Sequence, residues 1–168
     1  MSCPVAAAAP VHAGRPALDL DLRPRRAGVR GADAIVEFEL ALGNKGDAPA
    51  RHVRVATWLF PSAVAQPADT QRALIEGGAA AGGKAALPTL DPGSAETIDS
   101  SLSLPTAGVA GDEVLPVVLA EARYTLPDGS EERTTASFEV GVPAAGDLAW
   151  FAIDNPSGLH EDVVARRL

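Results

Sequence analysis

Residues Gly78 to Lys84 fit the G-x-x-x-x-G-K spacing of a phosphate-binding loop. In such a loop backbone N–H groups cradle phosphates, the lysine reaches the terminal ones, and a following Ser or Thr hydroxyl holds magnesium. Ala85 stands where that hydroxyl belongs, and the stretch leads into Leu87-Pro88 instead of opening a helix. No nucleotide site is expected. The histidines His12, His52 and His160 are scattered, without an i,i+4 or Cys partner, whereas zinc takes three or four converging N or S ligands. Cys3, the single cysteine, precedes the expected fold, so the two-His-one-Cys set of a blue-copper site is not assembled. Asp19/Asp21 and Asp91/Asp99 lack the ligand spacing of a calcium loop. There is no G-x-S-x-G, and Ser94 and Ser130 sit in turn sequences, where serine bonds the backbone. His52 near Asp47 and the pair Glu131/Glu132 lie beside turns, in water. The expectation is a chain that is not an enzyme and uses no metal or cofactor.

Binding is the chemistry that remains. Trp58, Phe60, Trp150 and Phe151 are the candidate partner-binding residues, because aromatic side chains dominate interaction hot spots. They are also the side chains a core most readily buries. The block Leu148 to Ile153 is the most hydrophobic six-residue stretch of the tail, and the favoured reading has it pack back over Trp58 and Phe60.

These residues need a scaffold, and the clearest part of it runs from Ala34 to Phe60. Val36, Phe38, Leu40 and Leu42 alternate with Glu37 and Glu39, and Val53, Val55, Thr57 and Leu59 alternate with Arg54. A period of two means one buried and one wet face. Asn44-Lys45-Gly46-Asp47 supplies turn residues between the two runs. The pair is expected to form the central hairpin of a β-sandwich.

The bulk numbers agree with one all-β domain. The 168 residues are 46% hydrophobic but 4% aromatic, so the core is aliphatic, and 14 prolines with 16 glycines punctuate many short elements. Arginine outnumbers lysine twelve to two, a usage associated with GC-rich bacterial genomes. The net charge of −8 argues against a nucleic-acid footprint. Residues 1–32 nevertheless carry five arginines against Asp19 and Asp21. Of these, Arg23, Arg25, Arg26 and Arg30 are expected in a solvated loop, with an acidic partner or anionic lipid as the competing reading. One cysteine permits no internal disulfide. Residues 1–10 lack the basic and long apolar regions of a secretory signal, and no run approaches the length of a membrane helix. Localisation is left open: a membrane or envelope position would require an anchor upstream of this segment.

In chain order, residues 1–15 read as a disordered Ala/Pro lead and residues 16–146 as the domain. A first strand lies between Pro16 and Pro24, and the hairpin follows. Residues 62–86 read as an insertion with a short helix over Asp69–Glu76. Asp91-Pro92-Gly93 predicts a type II turn. Strands follow over 96–104, 114–126 and 134–142, with Pro116 placed at a sheet margin or bulge. Six strands are expected, or seven if residues 85–90 pair. In the tail, 147–168, Ser157 is expected to cap a helix carrying Leu159, Val163 and Leu168 on one side.

Taken together, V-E-F-E-L-A-L-G-N-K-G-D-A-P-A-R-H-V-R-V, then L-D-P-G-S-A-E-T-I, then A-R-Y-T-L-P-D-G resemble bacterial immunoglobulin-like domains of the cell-adhesion-related (CARDB-like) type. Asn44, Gly46, Ala48, Val53 and Val55 carry the first match, and Leu90, Pro92, Gly93 and Ser94 the second. The resemblance spans roughly residues 16–142 and implies an all-β, immunoglobulin-like antiparallel β-sandwich of about seven strands. It also implies a non-catalytic interaction or spacer module of an envelope-associated protein. The alternative is a carbohydrate- or peptide-binding module using the four aromatics. The expected partners are an unidentified protein and, through an open sheet edge, weak self-association, with no nucleic acid.

Overall fold

The computed structural model describes residues 14–62, 81–109 and 111–168. The described chain is all-β and antiparallel. Its long strands are β1 (Leu18–Arg30), β2 (Asp33–Asn44), β3 (Ala50–Pro61), β4 (Ala81–Leu90), β5 (Ala95–Pro105), β7 (Pro116–Thr125) and β8 (Glu131–Ala144). Short strands are β6 (Glu113–Val114), β9 (Asp147–Ala149), β10 (Phe151–Ala152), β11 (Gly158–His160) and β12 (Val164–Arg167). One sheet has the order β11-β1-β2-β5. The other runs β12-β8-β7-β3-β4, with β9 added to β8, and β6 pairs β10 separately.

The core forms where the inward faces of both sheets meet. Leu20, Val36, Phe38, Leu40 and Leu42 of the first sheet and Val53, Val55, Leu59, Val118 and Val140 of the second belong to one buried cluster. Val36, Phe38, Leu40, Leu42, Val53, Val55 and Leu59 among them are the period-two positions read between Ala34 and Phe60, so the alternating pattern is realised. Each buried Leu, Val or Phe contributes about 1.5–3 kcal/mol relative to exposure. β2 and β3, though consecutive, lie in different sheets. The pair is therefore a corner between layers, not a hairpin ladder, because Asn44 to Pro49 carries the chain across.

Asn44 governs that corner. Its side chain is 1% exposed, and all four of its hydrogen-bonding positions are used. The amide nitrogen donates to the carbonyls of Ala48 and Leu90, both at 2.9 Å. The amide oxygen accepts from the N–H groups of Ala17, at 3.2 Å, and Gly46, at 2.9 Å. Its backbone also bonds Ser94 and Gly93. Gly46 is required for close approach: a Cβ there would collide with the backbone of Arg15, Pro16 and Ala17. The Asp91–Ser94 turn has Ser94 N–H bonded to Asp91 C=O at 3.0 Å and Gly93 at φ 78°, as a type II turn with proline before glycine requires.

Several expectations are corrected. Residues 23–30 are not a loop, because β1 continues to Arg30. A bulge between Pro24 and Arg26 adds one residue against β2, so the buried positions shift from Leu18, Leu20 and Leu22 to Ala27 and Val29. Residues 81–86, assigned to the insertion, belong to β4, which pairs β3 along its length. The helix expected over 69–76 lies outside the described residues, as does most of the 1–15 lead. The tail contains no helix at Ser157. Instead β11 pairs β1 and β12 pairs β8, so the tail binds to an edge of each sheet. Gly28 allows this, since a Cβ on it would strike the Gly158 carbonyl. Pro116 begins β7, opposite Pro61, where a missing N–H is tolerated. No helix among the described residues is long and apolar enough to cross a membrane.

Two predictions follow from these contacts. Asn44→Ala leaves two buried carbonyls, of Ala48 and Leu90, and two part-buried N–H groups, of Ala17 and Gly46, without their partner, and is expected to lower stability by about 3 kcal/mol and Tm by roughly 6–12 °C in thermal unfolding; a change below about 1 kcal/mol would show that water replaces the amide. Tyr124, the only tyrosine, is buried with its hydroxyl 3.2 Å from Glu132. Burial raises its phenol pKa above the ordinary value. A raised folded pKa means stability is full below the ordinary tyrosine range and falls as pH climbs through the folded value. Absorbance titration at alkaline pH should therefore place its midpoint higher in the folded protein than in denaturant, and equal midpoints would overturn the assignment.

Candidate functional site

The outward face of the larger sheet gathers side chains far apart in sequence. Its geometry begins with a bulge in β3, where the register against β7 shifts between Arg51 and Arg54 and His52 takes φ 49°. That extra residue lets Ala50 and Val53 both face the core while Arg51 and Arg54 are both exposed. Beyond it, ordinary alternation puts Ala56 and Trp58 on the same outer face as Arg54.

Register then builds rows across the strands. Arg54 of β3 lies opposite Arg123 of β7, which lies opposite Arg133 of β8. The next row holds Lys84, Ala56, Glu121 and Thr135. The row after it holds Gly82, Trp58, Leu119 and Ser137. On the other side Arg51 pairs Thr125, which pairs Glu131. Among the described residues these four rows hold five cations, Arg51, Arg54, Lys84, Arg123 and Arg133, against two carboxylates, Glu121 and Glu131.

Glu121 anchors the arrangement. It is 8% exposed, and Arg123 Nε donates to its Oε1 at 2.9 Å. Arg133 Nη1 lies 3.6 Å from its Oε2. Arg54 is paired with Glu131. Each guanidinium has five N–H donors, so these contacts orient the forks without using them up. The three arginine side chains remain 43–55% exposed.

The arginines singled out from the sequence behave differently. Arg26 makes a two-pronged contact to Glu37 at 2.8 and 2.9 Å. That bond, with the charge of the pair, holds the Glu37 carboxyl below its usual range. Arg25 bonds Asp99 at 2.9 Å, and Arg23 lies within 3.6 Å of Asp21 and Glu39. They lie in β1 and are engaged by neighbouring strands, so the basic excess lies on the opposite sheet.

The candidate aromatics are divided. Phe60 and Phe151 are buried, at 1% and 5% exposure. Phe60 lies opposite Val117, toward the end of the face where Leu115 and Leu148 pack over Gly141. Phe151 stacks on His160, 5.6 Å between ring centroids, and His160 is bonded to Ser157 at 2.8 Å. Trp150 is 43% exposed, and Trp58 is half-buried on the outer face. Residues Ala81 to Ala85 of the phosphate-loop-like stretch are β-strand. A cavity of about 130 Å³ opens between β4 and β5, over Gly83, Phe38 and Ile98, well below the 300–1,000 Å³ of small-molecule sites. No group of three or more metal-ligating side chains converges among the described residues. Cys3 and His12 lie outside them.

The basic face was not visible in the sequence. Arg54, Arg123 and Arg133 lie in three separate strand patterns, and only the register unites them. Alternation in each strand would have placed them outward; nothing local gives the pairing.

No protein-family model matches the chain, and no curated protein matches it. Among solved structures it is similar to a protein designated ApaA from Bordetella pertussis, at 12% identity and a TM-score of 0.48, covering 73% of this chain and 90% of that one. It is also similar to catalytically inactive OgpA from Akkermansia muciniphila in complex with an O-glycopeptide, at 9% identity and a TM-score of 0.36, covering 88% of this chain and 34% of that one. Neither likeness assigns a function.

Glu121→Gln removes the charge that offsets the arginine row. It is expected to cost about 1–3 kcal/mol in denaturant unfolding, with the deficit shrinking as salt rises from 50 mM to 1 M. A salt-independent deficit would make Glu121 a packing residue only.

Proposed function

We propose that this chain is a non-catalytic immunoglobulin-like module that binds or spaces partners within a bacterial envelope-associated protein. The observation that carries the reading is the outer face of the larger sheet. Side chains from β3, β4, β7 and β8 are displayed there on a rigid layer whose other side is the core. Binding side chains held on paired strands are positioned precisely enough for recognition, and an open sheet face engages another surface rather than enclosing a substrate. The motif residues that resemble cell-adhesion-related domains have architectural work to do: Asn44 and Gly46 form the corner, and Pro92-Gly93 the turn. The reading as a peptide- or carbohydrate-binding module is supported by Trp58, whose half-buried ring lies beside Leu119 on that face.

The module reading is tested with chromogenic ester, phosphate and glycoside substrates on protein purified by two independent routes. No turnover above buffer is expected. Turnover that survives both purifications and is abolished by one substitution would overturn it.

A further inference from the structure

We propose that the arginine row on the larger sheet, with the adjoining Trp58–Leu119 step, is a docking site for an extended acidic polypeptide segment. The segment carries carboxylates over Arg54, Arg123 and Arg133, and an apolar side chain about four residues away over Trp58 and Leu119. The inference rests on the interaction-module reading and names its ligand class.

Three observations lead to it. First, like charges directly opposite on neighbouring strands are destabilising, yet Arg54, Arg123 and Arg133 are opposite one another in a single row. The chain as a whole carries −8, so its excess of cations here is local. A surface shaped for stability alone would alternate sign, as the first sheet does with Arg26–Glu37 and Arg25–Asp99. Second, the cations in the row are arginines, whose planar forks match a carboxylate with two parallel hydrogen bonds. Glu121 and Glu131 hold three of those forks from beneath or beside, which reduces the ordering cost on binding.

Third, spacing selects a polypeptide. Same-face side chains of an extended chain recur about every 6.6–6.8 Å, the spacing of the sheet's own rows. A segment running along β3 therefore stays in phase with the rows of Arg54, Ala56 and Trp58. An acidic residue above Arg54 and Arg123 brings the residue four positions on above Trp58 and Leu119, about 13 Å away. Trp58 supplies the anchor that hot spots favour, beside charges at its margin. Glu121 and Glu131 remain within the face, which disfavours a dense polyanion such as nucleic acid, because each phosphate contact depends on an unopposed cation.

The test uses the whole chain and fluorescein-labelled nine-residue peptides with two glutamates two positions apart, so that both face the sheet, a leucine four positions after the second, and serine or glycine elsewhere. Fluorescence anisotropy should show saturable binding that weakens about tenfold or more between 50 and 200 mM NaCl. The glutamine version of the peptide should bind at least about tenfold more weakly. Arg54→Ala with Arg133→Ala should weaken binding by about tenfold, and Trp58→Ala by about fivefold. The milder pair Arg54→Lys and Arg133→Lys keeps the charge but loses the forks. It should lose about threefold, with Tm unchanged as the check on folding. Absence of binding at 1 mM peptide, equal binding of the glutamine version, or insensitivity to the arginine variants would overturn the proposal. So would tighter binding of an acidic polysaccharide fragment, which identifies a glycan site. None of these outcomes touches the non-catalytic reading, which falls only to turnover.

Discussion

The structure depends on one buried amide. Asn44 ends β2, and its side chain reaches the start of β1 at Ala17, the corner at Gly46 and Ala48, and the end of β4 at Leu90. These groups belong to both sheets. A buried backbone group without a partner costs about 1–3 kcal/mol, so two buried carbonyls and two part-buried N–H groups meeting at one point need a side chain with two donors and two acceptors. Asparagine has that complement, and aspartate would present acceptors to two carbonyls. Because the amide is held by both layers, it sets how β2 hands the chain to β3, and with that the pairing of everything in the second sheet.

That dependence explains what was legible in the sequence. The faces of β2 and β3 could be read directly, since Val36 to Leu42 and Val53 to Leu59 keep strict alternation against one core. The turn at Asp91–Ser94 could be read because proline and glycine restrict the backbone locally. The continuation of β1 could not. Its bulge at Arg25 shifts the phase, so alternation before and after cancels over a longer window. The tail misled for a related reason. Leu159, Val163 and Leu168 happen to repeat at helical spacing, while Gly158 takes φ 84° and the chain forms two short edge pairings instead. Strands of three and four residues are too brief to show a period. That β2 and β3 lie in different sheets is a tertiary fact, fixed by Asn44 and Gly46 and not by the strand pattern.

The edges show a second constraint. β11 covers part of β1 and β12 covers part of β8, so the tail secures one margin of both layers. Arg167 strengthens this margin, its guanidinium lying 5.5 Å from the Phe138 ring and 3.1 Å from the Leu20 carbonyl. The opposite margin is formed by β4 and β5. Exposed edge strands invite pairing with other chains, and charges or prolines along them discourage it. β5 carries Glu96 and Asp99 and ends at Pro105, and β4 carries Lys84 and Pro88. Those residues discourage pairing of other strands along these edges.

Of the two faces, the charge arrangement distinguishes one. On the smaller sheet the arginines and carboxylates neutralise one another across β1, β2 and β5. On the larger sheet a buried glutamate lies beneath an arginine row that it offsets only in part. Partial offset has a distinct physical consequence. Full neutralisation would leave no attraction for a ligand, and no carboxylate at all would leave flexible side chains that lose more entropy on binding. Glu121 lies between these limits: it fixes the forks and leaves net positive charge outward. The arrangement needs β3, β7 and β8 in a single register, and a slip of one residue would turn Arg54, Arg123 and Glu121 toward the core. Inward Val55, Ala120 and Ala122 hold that register by burial. The same aliphatic packing that stabilises the fold thereby keeps the charged row aligned.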